Sequence, residues 1–185
     1  AYLAEFPEVH ILVNNTGGPS GGPIIDAAPE QFLATFEMHL VNNQLLAQAV
    51  VPAMKKAGFG RIINIISTSV KQPIVGLGVS NTIRWAVASW AKTLSLEIGK
   101  FGITVNNVLP GYTKTGRLES VIKMRAQATG KTVEEIATQL EAEIPIGRFA
   151  EAEEVAAAVA FLCSPAAAAI SGINLPVDGG KTSSL

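Results

Sequence analysis

The string Ile11-Leu12-Val13-Asn14-Asn15-Thr16-Gly17 decides how this chain is read. It closes a short apolar run, Val9 to Val13, which reads as a buried strand stopping at Asn14. A loop rich in Gly and Pro follows, from Gly17 to Pro23. Pro29 to Met54 then reads as a long helix, with Phe32, Phe36, Leu40, Ala47 and Val50 on roughly one side. Gly58 and Gly60 stop it, and the β-branched stretch Arg61 to Ile66 reads as a second buried strand. Ser80 to Ile98 is again helical: Ile83, Ala86, Val87, Trp90, Ala91 and Leu94 recur at helical spacing. Gly102 and the run Ile103 to Leu109 give a third strand, closed by Pro110-Gly111.

Downstream, the segment 116–145 is charged, helical and broken at Thr129-Gly130. Thr132 and Glu135 form a capping-box pattern that restarts a helix. Glu151, Glu153 and Glu154 suit the first turn of another, which runs through an alanine-rich stretch to Ser164-Pro165. Ile173 to Val177 reads as a last short strand. Strands alternating with crossover helices imply an α/β fold, a parallel sheet covered on both faces. With no repeat, linker or low-complexity tract, residues 1–185 read as one domain.

Composition narrows the function. Net charge is −1, so there is no electrostatic footprint for nucleic acid. Hydrophobic residues are 48% and charged ones only 16%, below the usual quarter, which suggests surface buried between subunits. The single cysteine, Cys163, excludes an internal disulfide and gives no metal constellation, and its apolar surroundings read as core. No segment reaches transmembrane length and no signal peptide is seen, so a cytoplasmic protein is expected. The first residue is Ala1 rather than Met, and an N-terminal portion is expected to be missing.

The string 11–17 resembles the NNAG strand end of the short-chain dehydrogenase/reductase family. Further matches keep order and spacing: 60–67, the helix around Trp85 to Leu96, 102–106, Pro110 to Thr115, and the tail Val177-Asp178-Gly179-Gly180. Gly147-Arg148 before the acidic helix also fits. The resemblance spans essentially the whole chain and is nearest the 3-oxoacyl-acyl-carrier-protein reductase-like branch. It implies a Rossmann-like, doubly wound sheet binding NAD or NADP across the carboxyl ends of its strands. It also implies that the first strand here corresponds to the family's fourth. The glycine-rich phosphate loop and the residue that selects the cofactor would then lie upstream.

Ketone reduction needs a hydride donor and a proton donor beside the carbonyl oxygen. A tyrosine suits the second role when a lysine one helical turn away lowers its pKa. The family adds a serine thirteen residues before the tyrosine and an asparagine that orders a relay water. By resemblance, Ser67 stands at the serine position. Ser80 replaces the tyrosine, Arg84 the lysine and His39 the asparagine. An alkyl hydroxyl is far less acidic than a phenol, and Arg84 is planar and permanently charged. The resemblance further assigns Asn15, Thr16 and Gly17 to the adenosine end of the cofactor, Arg84 to its ribose, and Pro110, Gly111 and Thr115 to its nicotinamide wall.

Each candidate also has a structural reading. Ser80 could be a helix N-cap, Arg84 a solvated helix residue, and His39 a satisfied structural histidine. Gly17 and Gly18 could serve a tight bend. The segment 116–145 resembles a substrate lid, but Leu118, Val121, Ile122, Ile136 and Leu140 could equally pack its helices together. Two functions follow: an oxidoreductase with a rebuilt site acting on a small carbonyl or alcohol, or a dinucleotide or metabolite binder without turnover. No metal, nucleic acid or membrane is expected. The surplus apolar faces of 30–54 and 80–98, with Trp85 and Trp90, imply a homodimer or homotetramer.

Overall fold

A computed structural model describes residues 8–184; the missing-residue expectation at Ala1 concerns a position outside them. Four strands form: β1 Ile11–Asn15, β2 Gly60–Ile65, β3 Ile103–Pro110 and β4 Asn174–Val177. They pair in parallel in the order β1-β2-β3-β4. Because each connection returns the chain in the same direction, each must cross over a face, and helices carry those crossings.

The first crossing is made by α1, Pro29–Phe36, and α2, Asn42–Ala57. They run as one rod through a π-helical turn, Glu37–Val41. Gly58, with φ +65°, ends the rod in the left-handed conformation that only glycine adopts cheaply. The second crossing is α3, Gly78–Ile98. α2 and α3 cover one face, where Ala47, Val50, Met54 and Ala91 pack on Ile62, Ile103 and Val105. α6, Ala152–Cys163, covers the other, with Leu162 and Ala167 against Ile63 and Val108 and Cys163 at the margin. The alternation of Ile62 and Ile63 between these cores is the two-residue period of a strand buried on both sides.

β1 forms where the sequence places it. Among the described residues only β2 pairs with it, and Ile11 and Val13 are 46% and 44% exposed there. Its inward residue, Asn14, is buried and begins a row that crosses the sheet. Asn14, Asn64, Asn107 and Asn174 occupy one register line. Asn14 Nδ2 donates to Asn64 Oδ1 at 2.8 Å and Asn64 Nδ2 to Asn107 Oδ1 at 2.9 Å. Asn107 Nδ2 donates to Asn174 Oδ1 at 2.8 Å.

The segment 116–145 forms α4, Gly116–Thr129, and α5, Val133–Ala142. Both halves of the Thr132–Glu135 capping box are made. Leu118, Ile122, Ile136 and Leu140 bury against one another with Ile144 and Phe149, so the helix-packing reading holds for these four. No described helix is long and apolar enough to cross a membrane.

Candidate active site

The carboxyl ends of β1, β2 and β3 open on one side of the sheet. β2 passes into Ser67, whose extended backbone (φ −165°, ψ 151°) starts a short turn, Thr68–Val70. The Ser67 Oγ accepts the Ser69 N–H at 3.1 Å, which fixes the oxygen and leaves its hydrogen free to donate. β3 passes into Pro110 and Gly111. A Cβ at Gly111 would lie 2.6 Å from Asp178 Cβ, so only glycine lets this loop close on the 178–180 turn. Ser67, Pro110 and Gly111 line one cavity of about 430 Å³, together with Ile74, Tyr112 and Arg117.

Ser80 lies three residues into α3, whose N-cap is Leu77. The N-cap reading of Ser80 is therefore wrong: the helix begins earlier, at Gly78. Ser80 is half-buried and is not among the residues lining the cavity.

Arg84 is not a solvated helix residue either. It is 8% exposed, and its Nη1 donates to the Ile65 carbonyl at 3.0 Å, at the end of β2. Burial, then the nearby Arg117 charge, lowers its pKa to about 10, so it stays a cation at neutral pH. His39 sits in the π-helical turn, 3% exposed. The extra residue in that turn rotates the helix so that His39 faces inward. Its Nδ1 is hydrogen-bonded to the Thr16 hydroxyl, while its Nε2 is buried with no partner among the described residues. Burial, then Arg84, lowers its pKa to about 4.

Three predicted residues lie exposed. Thr115 is an exposed N-cap of α4 whose hydroxyl donates to the Thr113 carbonyl at 3.2 Å. Asn15 and Gly17 are exposed at the end of β1. Sequence reasoning missed Arg117, in the first turn of α4. A cation there opposes the helix dipole, and that misplacement was a signal available in the sequence.

These strand ends fit the nicotinamide end of a dinucleotide. A Cβ at Gly17 would meet nothing within 4 Å, Arg84 keeps unused donors, and the cavity beside Ser67 is open to small molecules. Asn15 closes β1 ahead of Thr16 and Gly17, and Pro110 closes β3 ahead of Gly111.

A family model described as Enoyl-(Acyl carrier protein) reductase matches residues 1–182. A 3-oxoacyl-(acyl-carrier-protein) reductase of Vibrio cholerae is 33% identical over 180 residues, covering 97% of this chain and 69% of that protein. A D-beta-hydroxybutyrate dehydrogenase of Rhizobium meliloti is 33% identical, with 96% and 69% covered. The crystal structure of an actinorhodin polyketide ketoreductase variant with NADPH superposes with a TM-score of 0.91 at 36% identity, over 98% of this chain and 70% of that one.

Proposed function

This chain belongs to the short-chain dehydrogenase/reductase family, and we propose that it is an NAD- or NADP-dependent oxidoreductase whose site has been rebuilt for a small carbonyl or alcohol. The relatives place it in the 3-oxoacyl reductase-like branch. The observation that carries the reading is the meeting of Ser67, Pro110 and Gly111 on one cavity at the carboxyl ends of β2 and β3. Ligands of open α/β sheets bind at such strand ends.

When bound, the cofactor supplies the hydride. Asn15, Thr16 and Gly17 would hold its adenosine end, Arg84 its ribose, and Pro110, Gly111 and Thr115 its nicotinamide side. The chain's own residues manage the oxygen. The Ser67 hydroxyl, its acceptor side already occupied by the Ser69 N–H, donates to the carbonyl oxygen. The Arg84 cation is held at the end of β2 by the Ile65 carbonyl, outside the lining of the cavity. His39 is neutral at pH 7, so it is not a resident acid. In the tautomer where Thr16 donates to Nδ1, the His39 Nε2–H is left to donate to a water and hold it in place. Ser80, an alkyl alcohol, adds no acidity, and it can only help position that water. Segment 116–145 serves as the substrate lid.

A second reading, binding without turnover, is favoured by the cavity's lining, which includes Ser67 but none of Ser80, Arg84 and His39. Steady-state reduction of several ketones separates the two. The expected result is turnover below the ordinary range of about 1–10³ s⁻¹, raised about 10²–10⁴-fold by Ser80→Tyr with Arg84→Lys, the usual worth of a general acid. Wild-type turnover at ordinary rates refutes the rebuilt-site reading. A double variant as inactive as the wild type, yet folded and still binding NADPH, favours the binder.

A further inference from the structure

The buried arginines of this chain are treated in two ways. Arg61, 2% exposed, is satisfied by protein. Its Nη1 donates to the Gly60 and Gly102 carbonyls at 2.8 and 3.3 Å, and its Cζ sits 4.3 Å from the centre of the Phe59 ring. Arg84 is nearly as buried but makes one hydrogen bond, to the Ile65 carbonyl. No described carboxylate pairs with it. Beside it stands a second guanidinium. A point at the Cβ position of Gly18 lies 3.8 Å from Arg84 Nη2 and 3.9 Å from Arg117 Nη2. Among the described residues Arg117 likewise has a single hydrogen bond, to the Pro19 carbonyl at 3.1 Å, and no acidic partner.

Two like charges converging on one point, one of them desolvated, form a poor arrangement unless an anion joins them. Every local feature adds to that cost. Burial and the Arg117 charge both act against the Arg84 cation. Arg117 occupies the first turn of α4, where the helix dipole opposes it. The position between the two forks is glycine, so no side chain fills the space. Arg117 also lines the cavity that holds Ser67, Pro110 and Gly111.

We propose that Arg84 and Arg117 form a two-fork receptor for an oxyanion carried by the substrate, so that the carbonyl or alcohol compound bears a carboxylate or phosphate group. This rests on reading the cavity as the substrate site. Guanidinium forks match carboxylate and phosphate oxygens in bidentate geometry, and such charge-assisted bonds are about twice as strong as neutral ones. An anion seated there would cancel the repulsion between the arginines and anchor the substrate with its carbonyl toward Ser67.

Calorimetric titration of malonate and of inorganic phosphate into the full chain, at low salt, tests the receptor. Binding is expected, with and without saturating NADPH, and weakening with salt. Arg117→Gln and Arg84→Gln should each weaken it at least about tenfold, the loss of one charged hydrogen-bonding partner. Lys123→Gln, a charge further along α4, should leave it unchanged. Arg117 is exposed, so its variant reports even where Arg84→Gln does not fold. No heat of binding at about 10 mM anion overturns the proposal, as does equal weakening by Lys123→Gln. Loss of malonate binding in NADPH-saturated protein also overturns it, because the anion site would then belong to the cofactor. NADPH binding, followed separately by its fluorescence, keeps the outcomes apart. Anion-silent protein that binds NADPH sinks the receptor alone, and malonate binding without NADPH binding, in protein extended upstream through the expected phosphate loop, sinks the reductase reading alone.

Discussion

Replacing His39 by Asn should remove part of the acid sensitivity of the fold. In the folded chain, burial and then Arg84 lower the His39 pKa from 6.5 to about 4. The unfolded chain keeps the ordinary value. Between these pH values the unfolded state holds a proton that the native state does not. Stability therefore rises with pH across the window, is fully present above about 6.5, and is lost as pH falls toward 4. At about 1.4 kcal/mol for each tenfold step in proton affinity, the gap from 6.5 to about 4 amounts to about 3 kcal/mol. That is a large share of a typical total of about 5–15 kcal/mol. Urea unfolding of both proteins at intervals from about pH 7 to about pH 4 isolates the contribution, since every other group titrates in both. The variant loses the Thr16 hydrogen bond, a constant offset at all pH values. Wild type should lose about 3 kcal/mol more than His39→Asn across the window. A difference between the two that does not change with pH refutes the reasoning, and would mean that His39 ionises freely in the native state.

Two further outcomes are expected. Asn64→Ala should cost about 3–5 kcal/mol in chemical unfolding, because it strands the buried Asn107 Oδ1 and Asn14 Nδ2 at about 1–3 kcal/mol each and leaves a cavity; a loss below about 1 kcal/mol removes the asparagine row from the account of stability. The chain should sediment as a two-fold dimer at micromolar concentration, through the face carrying Leu45, Leu46 and Trp85, which is 48% exposed; Trp85→Glu should split it with the fold retained, and a wild-type monomer ends that reading.

Trp90 shows where sequence reasoning could not choose. Both tryptophans looked alike on one amphipathic helix. Yet Trp90 donates to Gln44 Oε1 and packs against the core, while Trp85 donates to the Ser69 carbonyl with its ring half in solvent. Strands and crossovers were legible because β-branched runs and helical periods alternate along the chain. The place of Ser80 inside α3 was not, since a serine near a helix start reads as its cap. The π-helical turn at 37–41 was hidden too: one extra residue in a helix leaves no compositional trace, and it decides where His39 points. Ser67 was readable from its place after a strand. Arg117 was not taken up, because a charged residue in a charged segment looks like solvated surface until Gly18 and Arg84 are placed beside it.

The asparagine row has a consequence for how the sheet finds its alignment. A parallel strand that slips by two residues keeps every apolar side chain on the correct face, so hydrophobicity alone rejects that error weakly. Amides at 14, 64, 107 and 174 reject it strongly, because a slipped strand would bury its asparagine opposite an aliphatic side chain. The row thus works as a vernier, one tooth per strand, that admits a single alignment. Since Ser67 and Gly111 are carried a few residues beyond those teeth, the spacing between them across the cavity is set by the same device.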